Sequence, residues 1–186
     1  NIFYRLEVYQ KEFDNLLTLK QDNPTTVEGD EPDSTLNDFW DTNGQSRGVE
    51  FLLKKSSGRF NGWVGYTYAE TEYYTEPNGW HHPNFDRTHT LNVVGNFELT
   101  SDLEISTAVT SSSGNPYTPI IGRIHSFYQN VIVGQDPISW GYQENYLVGD
   151  KNSERHGKYF RIDTGLDFTN RSFFGVFEYD WYLQII

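Results

Sequence analysis

Apolar and polar residues alternate along the stretch from Phe85 to Ala108 with a period of two, which is the side-chain period of a β-strand. The stretch predicts two long strands joined by a tight polar turn at Thr100–Asp102. Its apolar positions share one predicted face and are Leu91, Val93, Phe97, Leu99, Leu103, Ile105 and Val109. The opposite face carries Asn92, Asn96, Glu98, Glu104 and Ser106. A soluble sheet and a membrane β-barrel both produce this pattern, so the choice depends on the rest of the chain.

Composition excludes several classes of function. The 186 residues include 26 acidic and 14 basic side chains, and the net charge of -12 argues against a nucleic-acid partner and against a basic membrane-surface helix. Cysteine is absent, so there is no disulfide framework and no cysteine metal site. No apolar run approaches the roughly 20 residues of a transmembrane helix, but a membrane strand needs only about 10 residues with alternate ones apolar.

Seven strands are predicted, and the connections between them alternate strictly in length. The strands cover residues 2–10 with an extension towards Leu19, then 48–55, 59–74, 85–99, 103–109, 158–168 and 173–186. Short turns are predicted at 56–58, 100–102 and 169–172, and long loops at 21–44, 75–84 and 111–157. An antiparallel meander across a membrane gives this rhythm because its tight turns all fall at one end, whereas Greek-key sandwiches mix the lengths.

An odd number of strands cannot close into an even-stranded barrel, and open edges are costly in lipid. The chain is therefore expected to form part of a larger barrel.

Two of the long loops have a marked composition. The 21–44 segment is acidic and has no Lys or Arg, which is typical of a solvated loop; divalent-cation binding near lipopolysaccharide is the alternative, but the calcium-loop spacing is missing. The 111–157 segment is rich in aromatic residues and glycine, and structureless loops of this length are usually functional or disordered.

In several segments the chain resembles the C-terminal part of the β-barrel of TonB-dependent outer-membrane receptors, and most closely those of Bacteroidetes. The segments, in order, are YRLEVYQKEFDNLLTL, SRGVEFLLKK followed by GWVGYTYAETEY, FDRTHTLNVVGNFEL, SSSGNPYTP and KYFRIDTGLDF. Each is weakly specific alone, and their order and spacing together are fairly specific across nearly the whole chain.

The resemblance implies an all-β fold, an antiparallel meander within a 22-stranded transmembrane barrel in the outer membrane of a Gram-negative bacterium. It implies a receptor that binds and imports a scarce nutrient such as a siderophore, glycan, peptide or cofactor. Residues 1–186 would form part of this one barrel domain, from near strand 15 to the penultimate strand. The plug, the TonB box and the last strand would then lie outside the chain, which is expected to continue at both ends. The implied partners are outer-membrane lipid and lipopolysaccharide, the TonB complex, the nutrient and in some such importers a surface lipoprotein.

On this template the polar strand positions face the barrel lumen and the apolar ones meet lipid. The lumen-facing residues are Glu50, Asn92, Asn96, Glu98, Arg161, Asp163 and Asp167, with Glu178 and Asp180. Aromatic residues at strand ends are interpreted as the interface girdle, with carbohydrate stacking as the alternative; they are Tyr66, Tyr68, Tyr179 and Trp181.

Substrate contact is expected from the loops, where aromatic rings offer contact area for sugars, peptides or chelates. The candidates are Trp80, His81, His82, Tyr117, Tyr128, Trp140 and Tyr142. Adjacent histidines near Asp86 can in principle bind a metal. However, neighbouring side chains of an extended segment point in opposite directions, and no third ligand stands at a recognisable spacing, so no metal site is predicted.

Asp86, Arg87 and His89 form an acid–base cluster at a strand start, which has two interpretations, a hydrolytic role or structural pairing across the barrel wall. No Gly-x-Ser-x-Gly elbow accompanies them, so pairing is preferred and the protein is predicted to be no enzyme, with no catalytic residue and no cofactor. The competing hypothesis to a transporter is a secreted β-sandwich that binds glycans, suggested by the acidic composition and the loop tryptophans.

Overall fold

The structure is a computed structural model that describes residues 1–19, 39–130, 139–173 and 177–185. Side chains are described for these residues except 127–130, 139–140, 142–143, 169–173 and 177–181. The strands are β1 (Ile2–Leu19), β2 (Phe39–Lys55), β3 (Phe60–Thr75), β4 (Gly79–His81), β5 (His89–Glu98), β6 (Leu103–Ser112), β7 (Pro116–Tyr117), β8 (Ile120–Asn130), β9 (Ser139–Val148), β10 (Glu154–Arg155), β11 (Tyr159–Phe173) and β12 (Phe177–Ile185).

One antiparallel sheet dominates the described residues. Its strand order is β1-β2-β3-β5-β6-β11-β12, and the short β4 also pairs with β3. Two further sheets have two strands each, β8 with β9 and β7 with β10. No helix occurs in the described ranges. The prediction of an all-β antiparallel fold is therefore confirmed, and the strands follow one another as a meander with β7–β10 inserted before β11.

The turn predicted at Thr100–Asp102 is confirmed. The backbone N–H groups of Leu99 and Thr100 both donate to the carbonyl oxygen of Leu103, at 2.9 and 3.2 Å. Together with the turn between β2 and β3 it lies at one end of the sheet, and we call this end the turn end. The segments after β1, β3 and β6 leave from the opposite end, which we call the loop end.

The predicted loop at 21–44 is wrong in its last part, because β2 begins at Phe39. Thr42 pairs with Leu16 on one side and with Thr75 on the other, so backbone pairing to two neighbours holds a polar sequence in a strand. Residues 20–38 lie outside the described residues. The strand predicted to start at Gly48 is correspondingly longer.

The predicted turn at Thr169–Ser172 is also wrong. β11 continues to Phe173, and Thr169 pairs with Asp180 in β12. Residues 174–176, which connect the two strands, lie outside the described residues. Polar side chains gave the segment its turn-like composition, yet Thr169 and Asn170 pair with β12, and the register is irregular between Asn170 and Phe173.

The predicted long loop at 111–157 is largely a β-hairpin of β8 and β9, with β7 and β10 on either side. The loop predicted at 75–84 likewise contains β4, which folds back on β3 after a turn at Glu76–Asn78. Asn78 donates its backbone N–H to the carbonyl oxygen of Thr75 at 3.1 Å, and Gly79 has a φ of 66°, which glycine adopts without a steric cost. These ribbons lack a strict period of two, so alternation did not reveal them.

Cross-strand register sorts the side chains of the main sheet onto two faces. Val93 pairs with Val64 of β3 and Val109 of β6, and Val109 pairs with Ile162 of β11, so these four share a face. We call it the apolar face. Asn92 pairs with Gly65 and Thr110 on the other face, which we call the polar face. All residues predicted to face a lumen whose side chains the structure describes lie on this polar face: Glu50, Asn92, Asn96, Glu98, Arg161, Asp163 and Asp167.

The apolar face is exposed. Among the described residues no aliphatic side chain other than proline and no phenylalanine, tyrosine or tryptophan side chain is buried, and Leu6, Val8 and Phe160 are 64%, 75% and 63% exposed. Burial at the loop end is instead polar and involves Thr42, Ser46, Thr75, His81, Asp86, Ser112 and Asn152. The described part of the protein therefore has no hydrophobic core between its elements.

Charged residues limit the apolar face at both ends. On β2 the apolar positions Val49, Phe51 and Leu53 lie between Arg47 towards the loop end and Lys55 at the turn end. The segment from Arg47 to Lys55 is about 27 Å long at about 3.4 Å per residue, or about 20 Å high if the strand is tilted by about 40°. We call this stretch of the apolar face the apolar band.

Candidate functional site

The connections at the loop end are held together by a buried carboxylate. The side chain of Asp86 is 1% exposed, and the Nη2 group of Arg155 in β10 donates to its Oδ2 at 2.5 Å. Its Oδ1 accepts the backbone N–H of Thr71 in β3 at 2.9 Å. One carboxylate thus ties the segment after β4 to β3 and to β10, which is far away along the chain.

Asn152 makes a second link between the same segments. Its Nδ2 group donates to the carbonyl oxygen of His82 at 2.6 Å and to Oδ1 of Asn84 at 2.7 Å. Its backbone N–H donates to the hydroxyl of Thr118 at 3.1 Å. The residue is 5% exposed and has a φ of 53°, a conformation that asparagine tolerates better than most residues. We call the assembly around Asp86 and Asn152 the loop hub.

A cavity of about 280 Å³ opens beside the loop hub. It is lined by Thr18, Leu19, Tyr73, His81, Pro83, Asn84, Phe85, Lys151 and Asn152. Tyr73 and Phe85 meet edge to face with ring centroids 6.1 Å apart, and His81 has its Nδ1 atom 3.0 Å from the carbonyl oxygen of Gly79. Burial raises the pKa of Tyr73, which lies beyond the apolar band, so its hydroxyl stays a neutral donor and acceptor.

Chemically, this cavity combines aromatic surface with amide, imidazole, phenol and ammonium groups. Such a lining suits a polar small ligand with some apolar surface. Sequence reasoning named only His81 among its residues. It missed Tyr73, Asn84, Phe85, Lys151 and Asn152 because they come together only through the loop hub.

The strand register places the predicted ligand-binding residues of the β3–β4 hairpin on opposite faces of it. His81 pairs with Tyr73, whereas Trp80 pairs with Tyr74 and therefore lies on the other side of the hairpin. The Trp80 and Tyr74 rings are 5.5 Å apart, and Trp80 is 55% exposed. Trp80 thus lies away from the cavity, on the side that continues the apolar face.

The adjacent histidines contact different groups, as the sequence predicts for an extended segment. Nδ1 of His82 lies 2.8 Å from the carbonyl oxygen of Thr71, whereas His81 contacts Gly79. Glu70 and Glu72 of β3 also approach His82, at a distance along the chain that sequence spacing does not reveal.

The other predicted loop residues are spread apart. Tyr117 stacks on His156 with ring centroids 4.4 Å apart, away from the cavity lining. The side chains of Tyr128, Trp140 and Tyr142 lie outside the described residues.

The acid–base cluster predicted at Asp86, Arg87 and His89 does not form a joint site. Arg87 donates to the hydroxyl of Ser112 at 2.6 Å, and His89 has its Nδ1 atom 2.9 Å from the Tyr66 hydroxyl. Each residue therefore has a separate structural partner. Pairing is also seen on the polar face, where Arg161 donates to Asp163 at 2.9 Å.

Two predicted girdle residues lie where the apolar band ends. Tyr66 and Tyr68 are on the apolar face, 39% and 37% exposed, and both rings contact His89. The next pair towards the loop end is Arg47 and Glu70, joined by a 2.7 Å ion pair. The side chains of Tyr179 and Trp181 lie outside the described residues.

Comparison with known proteins adds no relative. No family model, no curated protein and no solved structure matches the chain. Within the described residues no helix is long and apolar enough to cross a membrane.

Proposed function

We propose that the chain is part of the transmembrane β-barrel of an outer-membrane receptor of the TonB-dependent kind, which binds a scarce nutrient at its outer side and imports it. The nutrient would be a siderophore, glycan, peptide or cofactor. The proposal includes no catalytic step.

The observation that carries the proposal is the exposed apolar band opposite a polar face. An apolar surface of this extent is unfavourable in water, because each Å² of exposed apolar area costs roughly 25 cal/mol relative to burial. The hydrocarbon interior of a lipid bilayer removes this cost, because it covers the apolar side chains without a protein partner. The outward apolar band of outer-membrane barrels is about 25 Å tall, close to the height of about 20 Å estimated for β2.

Two further features support the same conclusion. The tight turns lie at one end and the long connections at the other, as in barrels with short periplasmic turns and long outer loops. Tyrosine rings with hydroxyl groups stand at the loop-end margin of the band, where amphipathic rings favour a membrane–water interface.

In this arrangement the described outer strands β1 and β12 pair with further strands of the barrel, since unpaired edges are costly in lipid. The polar face borders the lumen and a plug, the loop end faces the outside, and the cavity beside the loop hub contributes to nutrient recognition. Lipid and lipopolysaccharide surround the band, the TonB complex supplies energy, and a surface lipoprotein is a further partner of some receptors of this kind.

Site-specific labelling tests the assignment of the faces directly, because the 186 residues contain no cysteine of their own. Single cysteines at Val93 and Asn92 of the intact protein are coupled to an environment-sensitive fluorophore. The label at position 93 is expected to emit as in hydrocarbon and to be quenched by spin-labelled lipid, and the label at 92 is not. Equal quenching at both positions, or a monodisperse soluble protein in buffer without detergent, contradicts a membrane barrel.

The import function needs its own experiment. A strain that lacks the protein is grown on a panel of ferric siderophores, glycans, peptides and cofactors as limiting nutrients. We expect a growth defect on one class, restored by the wild-type gene and restored poorly by a Lys151→Ala, His81→Ala variant that reaches the outer membrane normally. Normal growth on every class, with an intact membrane barrel, would refute import while leaving the barrel assignment in place.

A further inference from the structure

A group of three potential metal ligands lies on the opposite side of the β3–β4 hairpin from the cavity. Glu70, Glu72 and His82 each present one ligand atom, and these atoms lie within 4.8 Å of one another. All three side chains are half-buried. Glu70 and Glu72 are two residues apart in β3 and therefore share a face, and His82 reaches them because β4 folds back along β3.

The imidazole of His82 is oriented as in metal sites. A carbonyl oxygen can only accept a hydrogen bond, so the Nδ1 group that lies 2.8 Å from the oxygen of Thr71 is the donor. In the neutral ring Nε2 then carries the lone pair that binds a metal. Metal-binding histidines commonly donate their other N–H group to a backbone carbonyl or a carboxylate in this way.

The two carboxylates are also held in place. Nη2 and Nε of Arg47 donate to Oε2 of Glu70 at 2.7 and 3.0 Å, and Nε2 of Gln45 donates to Oε2 of Glu72 at 2.8 Å. These hydrogen bonds use Oε2 of each carboxylate, and Oε1 is the atom we assign to the cation. Asp86, whose Oδ2 is 3.9 Å from Nδ1 of His82, adds a third negative charge nearby.

The net charge around Glu70, Glu72 and His82 favours a cation, although two arginines lie nearby. Glu70, Glu72 and Asp86 carry three formal negative charges, whereas Arg47 and Arg155 carry two positive ones. With a neutral His82 the group is net negative, so a divalent ion is not repelled overall.

From these contacts we propose that Glu70, Glu72 and His82 bind a divalent first-row transition metal, with Zn²⁺ as the probe. One imidazole with two carboxylates suits this class better than Ca²⁺ or Mg²⁺, which prefer oxygen ligands alone. Bonds of about 2.0–2.1 Å in a tetrahedral site require ligand atoms about 3.3 Å apart, so the side chains must move closer together than the 4.8 Å within which their ligand atoms now lie. The fourth position stays open to water or an outside ligand.

All three ligands belong to β3 and the segment just after β4, so the site does not depend on a membrane around the sheet. It lies beyond the Tyr68 row on the side of the apolar face, away from the cavity proposed for the nutrient. Loss of Zn²⁺ binding and loss of import are therefore separable results.

The test is a titration of the intact, chelator-treated protein with Zn²⁺ by isothermal calorimetry. We expect one site per chain that His82→Gln weakens by at least about tenfold, the scale on which even outer-shell changes alter metal affinity. The paired change Glu70→Gln, Glu72→Gln should weaken it similarly while it preserves side-chain shape. His125→Gln in β8 and Glu98→Gln in β5 are the matched controls and should leave the affinity unchanged.

Circular dichroism and thermal unfolding without metal establish that each variant keeps its fold. If His82→Gln itself unfolds the protein, the Glu70→Gln, Glu72→Gln variant decides the question. No Zn²⁺ binding up to about 1 mM, a free energy of only about 4 kcal/mol, overturns the proposal. Binding that is equally strong in the folded ligand variants and the controls also overturns it, because the ion then binds elsewhere.

Discussion

The apolar band and the loop hub are parts of one molecule with opposite rules of burial. In the band, large apolar side chains such as Leu6 and Phe160 are 64% and 63% exposed, and backbone pairing satisfies the polar groups. In the loop hub, polar side chains are buried, and Asp86 and Asn152 are 3% and 5% exposed. Side-chain hydrogen bonds between segments distant in sequence stabilise the loop hub. The stability of the apolar band depends instead on the medium in contact with its exposed side chains.

This difference shows that one sheet is suited to two surroundings along its length. Polar side chains can be buried at the loop end because each has a partner within the chain, as Asp86 has in Arg155 and Thr71. Exposed apolar side chains further down are unfavourable in water, and the proposed barrel assignment places them in lipid hydrocarbon. The transition occurs within one strand, between Tyr68 and Glu70 of β3.

The largest effect is expected from a charged residue in the middle of the apolar band, which tests the difference between the two faces. If the proposed membrane assignment is right, Val93→Lys should lower the stability of the assembled protein by about 2–4 kcal/mol, the cost of a lysine at a bilayer midplane, whereas Asn92→Lys on the polar face should cost little. The measurement is the folded, heat-modifiable fraction in the outer membrane. Equal tolerance at both positions would void the assignment of the faces.

Within the loop hub, Arg155→Met leaves the Asp86 carboxylate buried without its cation. Unpairing a fully buried pair costs roughly 3–5 kcal/mol; since solvent reaches Arg155, which is 29% exposed, we expect about 2 kcal/mol. Urea unfolding of the intact protein measures this loss. The double variant Arg155→Met, Asp86→Asn should recover part of it, and purely additive losses would show that the two side chains are not coupled.

Asn152→Ala tests the second link of the hub. It removes two donated hydrogen bonds and leaves the carbonyl oxygen of His82 and Oδ1 of Asn84 without this donor, for an expected loss of about 1–2 kcal/mol. The same unfolding assay applies. Asn145→Ala in β9, which loses only one bond to the Ser126 hydroxyl, is the control and should change stability by less.

The smallest effect is expected in the β8–β9 hairpin, which belongs to neither region. Glu144→Gln weakens the ion pair with Arg123. The side chain of Glu144 is 31% exposed and that of Arg123 is 64% exposed, and exposed ion pairs contribute about 0–1 kcal/mol to stability. Unfolding within about 0.5 kcal/mol of wild type is expected. A loss of stability as large as that of Arg155→Met would mean that solvent exposure does not determine how much the Arg123–Glu144 and Arg155–Asp86 ion pairs contribute.

Sequence periodicity predicted the main sheet well because one physical cause acts along its strands. Leu91, Val93 and Phe97 alternate with polar residues, and the observed register places the two sets on opposite faces of the sheet. The pattern fails where polar residues continue a strand without apolar alternation, as at Thr42 and Thr169, and there the strands were predicted too short.

The loop end could not be predicted in this way because its contacts join residues distant in sequence. Nothing near Asp86 indicates that its partner is Arg155, and nothing near His82 indicates Glu70 and Glu72. The adjacent histidines were correctly expected to diverge, but sequence does not show that His82 contacts Thr71 of β3, whereas His81 contacts Gly79 within β4. The aromatic and polar composition of the loops led to the prediction of substrate contact at this end, and that prediction stays a prediction.

The hairpin turn at Glu76–Asn78 sets which face each residue of β4 occupies. Trp80 and His81 are neighbours in the chain, yet their side chains lie on opposite faces of the hairpin. The pairing of Gly79 with Thr75 fixes this register. Inserting or deleting one residue in this turn would exchange the two sets of side chains, since a shift of one position inverts a strand. The imidazole would then leave the cavity and the indole would enter it, with no side chain of either surface substituted.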